Sequence, residues 1–423
     1  MSVIQVYGLT PLEGEISIQG SKNAVLPMAA AALLHRGITV LTNVPVIRDV
    51  ACMVDILEYL GARCCHKGDC LVIDARHITE TSIPEKYVTA MRSSIVVLSV
   101  LLGRMGEGSS CYPGGCLIGA RPIDLHLMVL QALGAQINEH DGLIEAKCKK
   151  GQGLKGTEIH LPYPSVGATE QAILASVLAR EVTVIHGAAR EPEISQLCRF
   201  LNNMGAVICG MGTDHLMIQG VDELHDSSFR VEGDRIVAGT YAAAVAAATG
   251  SVTLKEARGA DLALPLELLK QSGAQVRIDT CCRQQIQITM KERPRPLDIR
   301  TGPYPEFPTD LQSPFMAFLA SGSGTSTVVE QVFEGRFATA QSLMQMGASI
   351  ETEGRRAVIV GRYPLKGAHV NASDLRGGAA LAVAALAAEG ETLIGDCRHI
   401  ERGYEDICRD MAALGANIRW LEQ

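Results

Sequence analysis

Met204-Gly205-Ala206-Val207-Ile208, turning at Gly212-Thr213-Asp214 into Leu216-Met217-Ile218, is the stretch from which the fold can be read. A glycine there suits the left-handed residue that stops a helix, and the polar turn suits a hairpin between two short strands. The same junction occurs six times, at Leu60-Gly61-Ala62, Leu133-Gly134-Ala135, Met204-Gly205-Ala206, Ser272-Gly273-Ala274, Met346-Gly347-Ala348 and Leu414-Gly415-Ala416. The glycines stand about 70 residues apart, which is too far for a solenoid, so each repeat is a small subdomain. Arg63-Cys64 likewise turns at Lys67-Gly68-Asp69 into Leu71-Val72-Ile73, and a third strand such as Gly156 to Leu161 follows.

Each repeat also carries a second helix that is small and apolar almost all round: Leu26 to Leu34, Ser93 to Leu102, Gln171 to Ala179, Tyr241 to Ala248, Pro314 to Ala320 and Gly378 to Ala388. A helix with no polar face must be surrounded by protein. The hairpin strands alternate apolar with polar, as a sheet wetted on one side does. The pattern predicts an α/β fold with helices inside and sheets outside, an inside-out α/β barrel of two domains with three repeats each. The last repeat runs out of chain at Gln423 before its returning strand. The N-terminal segments Val3 to Gly8 and Leu12 to Ile18 resemble strands of other repeats and are expected to complete it. The expected domains are therefore 22–230 and, from both chain ends, 1–21 plus 231–423.

A chain of 423 residues suits two cores, and 47% hydrophobic with 20% charged residues is a globular composition. The net charge of −8 argues against a nucleic-acid partner, so an anionic ligand would need a local cluster of cations. No apolar run approaches the roughly 20 residues of a membrane span, and the start lacks a secretory pattern, so a cytoplasmic protein without a membrane partner is expected. The 13 cysteines are then expected to be reduced thiols. Cys64-Cys65-His66 with Cys70, and the Cys281-Cys282 doublet, lack a second pair at ligand spacing, so no metal site is expected from them.

Residues with chemical potential stand at turns and helix starts. In Tyr112-Pro113-Gly114-Gly115-Cys116-Leu117-Ile118-Gly119-Ala120-Arg121-Pro122-Ile123-Asp124, turn formers expose a thiol with a cation five residues on. Pro122 fits the first turn of a following helix, whose N-terminus could seat an anion. Lys22-Asn23 stand at another helix start, where Ser21 or Asn23 could equally be a plain cap. Asp310 precedes a buried helix and could be a cap or a base. Arg376 and Arg402 fall at expected helix starts, against the dipole, and Arg92 and Arg336 lie at comparable boundaries. There is no phosphate loop, dinucleotide fingerprint or Ser/His/Asp constellation.

These motifs, with Ser165-Val166-Gly167-Ala168-Thr169, Ala189-Arg190-Glu191-Pro192-Glu193, Phe333-Glu334-Gly335-Arg336-Phe337 and Arg402-Gly403-Tyr404-Glu405, resemble in order those of the UDP-N-acetylglucosamine 1-carboxyvinyltransferase family. The resemblance implies an EPSP synthase-like fold. It also implies transfer of the enolpyruvyl group of phosphoenolpyruvate to the 3′-hydroxyl of UDP-N-acetylglucosamine, without a metal or organic cofactor. It further implies that Lys22, Arg121 and Arg402 grip phosphoenolpyruvate, with Arg92 and Arg376 nearby, and that Cys116 is the acid and the target of fosfomycin. Asp310 would be the base, on the opposite domain, so that turnover depends on closure. Asn23, Pro122, Ile123, Asp124, Leu125, Ser165, Val166, Gly167, Val332 and Asp374 match substrate positions. Tyr163-Pro164 stand where some members carry a lysine that helps hold the diphosphate. The rival readings are a 3-phosphoshikimate 1-carboxyvinyltransferase and a sugar-nucleotide-binding paralogue without chemistry.

Overall fold

All six Gly-Ala junctions close their helices in one way. In the computed structural model, which describes residues 2–113, 119, 122–279 and 284–421, the six glycines have φ between +86° and +111°. The amide of each following alanine donates to a carbonyl five residues back, as Ala206 does to Leu201, while the glycine amide donates three residues back, as Gly205 does to Asn202. This pair of bonds is the Schellman closure, which satisfies carbonyls that a helix end would otherwise leave bare. The alanines are all buried, so every closure also turns the chain into the core.

From each junction the chain enters a hairpin of the outer sheet. After Pro192–Asn203, strands Val207–Cys209 and His215–Gln219 pair antiparallel, and His215–Gln219 pairs antiparallel with Val182–His186, whose other neighbour is the parallel strand Glu158–His160. Four other sheets repeat this order, and the sheet of Glu107–Cys111 has three strands extended by a parallel bridge from Ser82 to Ser109. Burial alternates along His215–Gln219, as a sheet with one wet face requires.

Among the described residues the chain divides into two units, one within 20–113 and 122–232 and the other within 2–19, 119 and 233–421. Each has three such sheets around three interior helices. In the first unit these helices are Lys22–Ala31, Val97–Met105 and Val166–Ser176; in the second they are Arg235–Ala248, Gln312–Ala320 and Leu375–Leu386. Every residue from Ile236 to Ala248 and from Arg376 to Leu386 is buried. Small side chains let the three helices of the second unit pack against one another, and a Cβ on Gly239 would come 2.5 Å from Leu311. Helices are thus interior and sheets exterior, but among the described residues the sheets of a unit are not hydrogen-bonded into a closed barrel.

The N-terminal strands part company. Val3–Tyr7 lies between Glu391–Gly395 and Asn417–Leu421, antiparallel to both, and supplies the missing returning strand of the last repeat. Leu12–Ser17 instead runs parallel to Gly250–Lys255 and opens the sheet of the fourth repeat. Ser227–Arg230 does the same for the first repeat, parallel to Ile38–Thr42. No helix is long and apolar enough to cross a membrane among the described residues.

Candidate active site

In the unit of residues 2–19 and 233–421, Asp310 sits in the 3-10 turn Thr309–Leu311 that leads into Gln312–Ala320. It does not cap that helix. Its carboxylate accepts hydrogen bonds from the guanidinium of Arg336 and, at 3.2 Å, from Nη2 of Arg376. Both arginine side chains are 3% exposed and Asp310 is 26% exposed, so two buried cations meet at one carboxylate that still reaches solvent. Burial works against the charge of Arg376, but Asp310, Tyr404 and Asp234 outweigh it and raise its pKa above the ordinary value. Asp374 caps Leu375–Leu386 by accepting from the amides of Arg376 and Gly377, and lies 3.7 Å from Arg336. The cap offsets the unfavourable placing of a cation at a helix start.

The cluster is anchored from behind. Nε of Arg336 donates to Thr309 Oγ1 at 3.2 Å, and that hydroxyl donates to Glu330 at 3.0 Å. Fully buried Glu330 also accepts from the Thr301 hydroxyl and from the amides of Val332 and Phe333. Val332, a predicted substrate position, is therefore held by a buried carboxylate. On the other side Arg376 donates to the Tyr404 hydroxyl at 3.5 Å, which shares a hydrogen bond with Thr240. The loop after Arg402 is pinned by Gln19, which donates to the carbonyl of Gly403 and accepts from the amide of Glu405.

In the other unit Lys22 is the first residue of Lys22–Ala31, and its Nζ lies 3.2 Å from buried Asp49. Asn23 follows and is half-buried. Ser21 holds the N-cap position, but its buried hydroxyl makes no capping bond and has no partner among the described residues. Arg92 opens the 3-10 turn Arg92–Val96 and donates to the carbonyl of Pro122 at 3.1 Å. Arg92, Pro122, Ile123 and Asp124 line one cavity of about 330 Å³ together with Tyr112 and Glu139, whose side chains are hydrogen-bonded to each other. Ser165 caps Val166–Ser176 by accepting from Ala168 at 3.4 Å. A Cβ on Gly167 would meet the His126 ring at 2.7 Å, so a side chain there would press on that ring.

Glu170 was not singled out by sequence reasoning. It lies one turn into Val166–Ser176, buried, and desolvation with the neighbouring charges of Glu193 and Glu191 pushes its pKa up to about 8. A lone acid within an otherwise uncharged helix was the available signal. Glu330 directly follows the strand Thr325–Val329, with no comparable signal in its sequence neighbours.

Several placements differ from expectation. The helix after the cysteine loop is Asp124–Ala132, so Pro122 precedes it instead of entering its first turn, and its role is to offer Arg92 a carbonyl. Arg402 ends the 3-10 turn Cys397–Arg402 instead of starting a helix, so there its charge suits the dipole. The side chains of Ile123 and Leu125 are buried in the core, so that a ligand could meet Leu125 only through its backbone. Tyr163 is 53% exposed. Cys116 and Arg121 lie outside the described residues, as do Cys281 and Cys282.

The family described as EPSP synthase (3-phosphoshikimate 1-carboxyvinyltransferase) matches residues 6–411. UDP-N-acetylglucosamine 1-carboxyvinyltransferase 2 of Caldanaerobacter subterraneus subsp. tengcongensis is 44% identical over 419 residues, covering 99% of each chain. UDP-N-acetylglucosamine 1-carboxyvinyltransferase of Finegoldia magna is 42% identical over 423 residues, covering 100% of this chain and 99% of its own. The crystal structure of the enolpyruvyl transferase NikO from Streptomyces tendae superposes with a TM-score of 0.88 at 23% identity, covering 99% of this chain and 98% of that one. EPSP synthase from Acinetobacter baumannii gives 0.75 at 16% identity with both chains fully covered. The last two likenesses speak for the fold alone; the relatives at 42–44% identity place the chain in the UDP-N-acetylglucosamine 1-carboxyvinyltransferase family, to which it belongs.

Proposed function

We propose that this protein transfers the enolpyruvyl group of phosphoenolpyruvate to the 3′-hydroxyl of UDP-N-acetylglucosamine and releases phosphate, supplying a peptidoglycan precursor. The observation that carries the reading is near end-to-end likeness to relatives of that name at 42–44% identity. In this reading Asp310 takes the proton of the 3′-hydroxyl as its oxygen bonds to C2 of phosphoenolpyruvate. Cys116 donates a proton to C3, which becomes a methyl group. The Cys116 thiolate takes a proton back from that methyl, restoring the double bond as the C2–O bond to phosphate breaks, and the proton held by Asp310 leaves with the phosphate. Atoms balance, because one phosphoenolpyruvate and one sugar nucleotide give one enolpyruvyl ether and one phosphate.

Lys22, Arg121 and Arg402 balance the charge of phosphoenolpyruvate and of the departing phosphate, with Arg92 and Arg376 nearby. Asn23, Asp124 and Ser165 to Gly167 hold the sugar nucleotide, with Pro122, Ile123, Leu125, Val332 and Asp374 lining its place. Two guanidiniums fix the orientation of the Asp310 carboxylate that would accept the proton of the substrate hydroxyl. Fosfomycin is expected to add to the Cys116 thiolate, raising the intact mass by one inhibitor. An adduct mapped to another cysteine would remove Cys116 from the role of acid. Phosphate release on adding phosphoenolpyruvate with UDP-N-acetylglucosamine, and none with 3-phosphoshikimate, is the expected result. The opposite preference, or silence with both at high enzyme concentration, would overturn the reading.

A further inference from the structure

Away from these helix starts, a second set of chemically capable side chains gathers on the wet face of one outer sheet. Parallel pairing of Glu158–His160 with Val182–His186 sets His160 opposite His186, and antiparallel pairing with His215–Gln219 sets His186 opposite His215. Side chains alternate along a strand, so Glu158 and His160 share the outward face while Ile159 between them is buried. The rings of His160 and His186 stack with centroids 4.4 Å apart and planes 5° from parallel, and His215 meets His186 edge-on at 5.0 Å. Glu158 lies 3.8 Å from Nε2 of His160. One ligand atom from each of Glu158, His160 and His186 lies within 4.8 Å of the others.

We propose that Glu158, His160 and His186 form a surface binding site for a borderline divalent transition-metal cation such as zinc. Two imidazoles and a carboxylate are a donor set that zinc takes while keeping a fourth position open, and imidazole disfavours magnesium and calcium. Ligand atoms around a tetrahedral zinc with bonds of about 2.05 Å stand roughly 3.4 Å apart. Rotation of the side chains closes the remaining gap, because Glu158 and His160 are 72% and 70% exposed and free to turn. The backbone already supplies the rest, since cross-strand neighbours are held at fixed separation by the ladder. Beside the site, His215 is hydrogen-bonded at 2.7 Å to Asp214, adding negative charge to the same patch.

The test is calorimetric titration of the reduced full-length chain with Zn²⁺. One zinc should bind per chain, with affinity falling at least about 100-fold in His160→Ala/His186→Ala and about 10-fold in Glu158→Gln. Replacing two exposed thiols, as in Cys65→Ser/Cys209→Ser, should leave binding unchanged. Zinc should also raise the melting temperature of the wild type but not of the double histidine variant. Should the double variant fold poorly, the Glu158→Gln comparison carries the test. Equal zinc affinity in wild type and either histidine-site variant, or loss of binding in the thiol variant, would overturn the proposal.

Discussion

Replacing Glu170 by glutamine should change how stability depends on pH. Folded, this buried carboxyl holds its proton to about pH 8, whereas the unfolded chain releases it near the ordinary 4.5. Between those values the native state binds more protons than the unfolded one, so stability falls as pH rises across the window. At about 1.4 kcal/mol per pH unit, the loss from pH 5.0 to 7.5 is about 3 kcal/mol. Glutamine has the same shape and no proton to lose, so the stability of Glu170→Gln relative to wild type should rise by that amount between the two conditions. Urea unfolding followed by far-UV circular dichroism measures it. Trp420, the only tryptophan, lies in the other unit, and its fluorescence gives a transition that the substitution should not shift if the units unfold separately. Parallel pH dependence in the two proteins would refute the reasoning, because Glu170 would then be no more buried when folded than when unfolded.

Asp310→Asn should lower steady-state phosphate release by about 10² to 10⁴, as expected for a lost general base, while binding of the sugar nucleotide survives. Asp310→Ala should in addition cost roughly 3–5 kcal/mol in urea unfolding, since Arg336 and Arg376 are left buried without that carboxylate. Gly167→Ala should raise KM for UDP-N-acetylglucosamine and cost about 1–3 kcal/mol, because the new methyl would press on the His126 ring. Among the helix-closing glycines, Gly273→Ala meets no atom within 4 Å and should cost only the left-handed strain of about 1–2 kcal/mol. Gly205→Ala also strikes His225 at 2.9 Å and should cost more, which thermal melts of the two variants would rank.

The architecture was legible because its signals are local. A glycine forced to positive φ, an alanine folded under it and a helix with no polar face are each written within a few residues, and repetition made them unambiguous. The destination of Leu12–Ser17 was not legible, since a strand of that pattern fits the parallel position of any of the repeats and only register decides. Pro122 misses its helix because boundaries shift by a residue or two with the tertiary contacts at the ends, whereas Arg402 ends a separate 3-10 turn and the next helix begins only at Ile407. Of the site, the residue types at turns could be read, but their partners could not. Arg336 and Arg376 reach Asp310 from 26 and 66 residues away, and His186 faces His160 only through the ladder. Glu170 and Glu330 were not legible, because an isolated acid in sequence does not reveal whether it is buried.

In the proposed reaction Asp310, oriented by Arg336 and Arg376, receives the proton of the attacking hydroxyl. A crystal structure with UDP-N-acetylglucosamine bound tests it most directly. The 3′-hydroxyl is predicted to lie about 2.6–3.2 Å from a carboxylate oxygen of Asp310, with both guanidiniums still in place. A sugar bound with that hydroxyl turned away from Asp310 and toward another base would contradict the account.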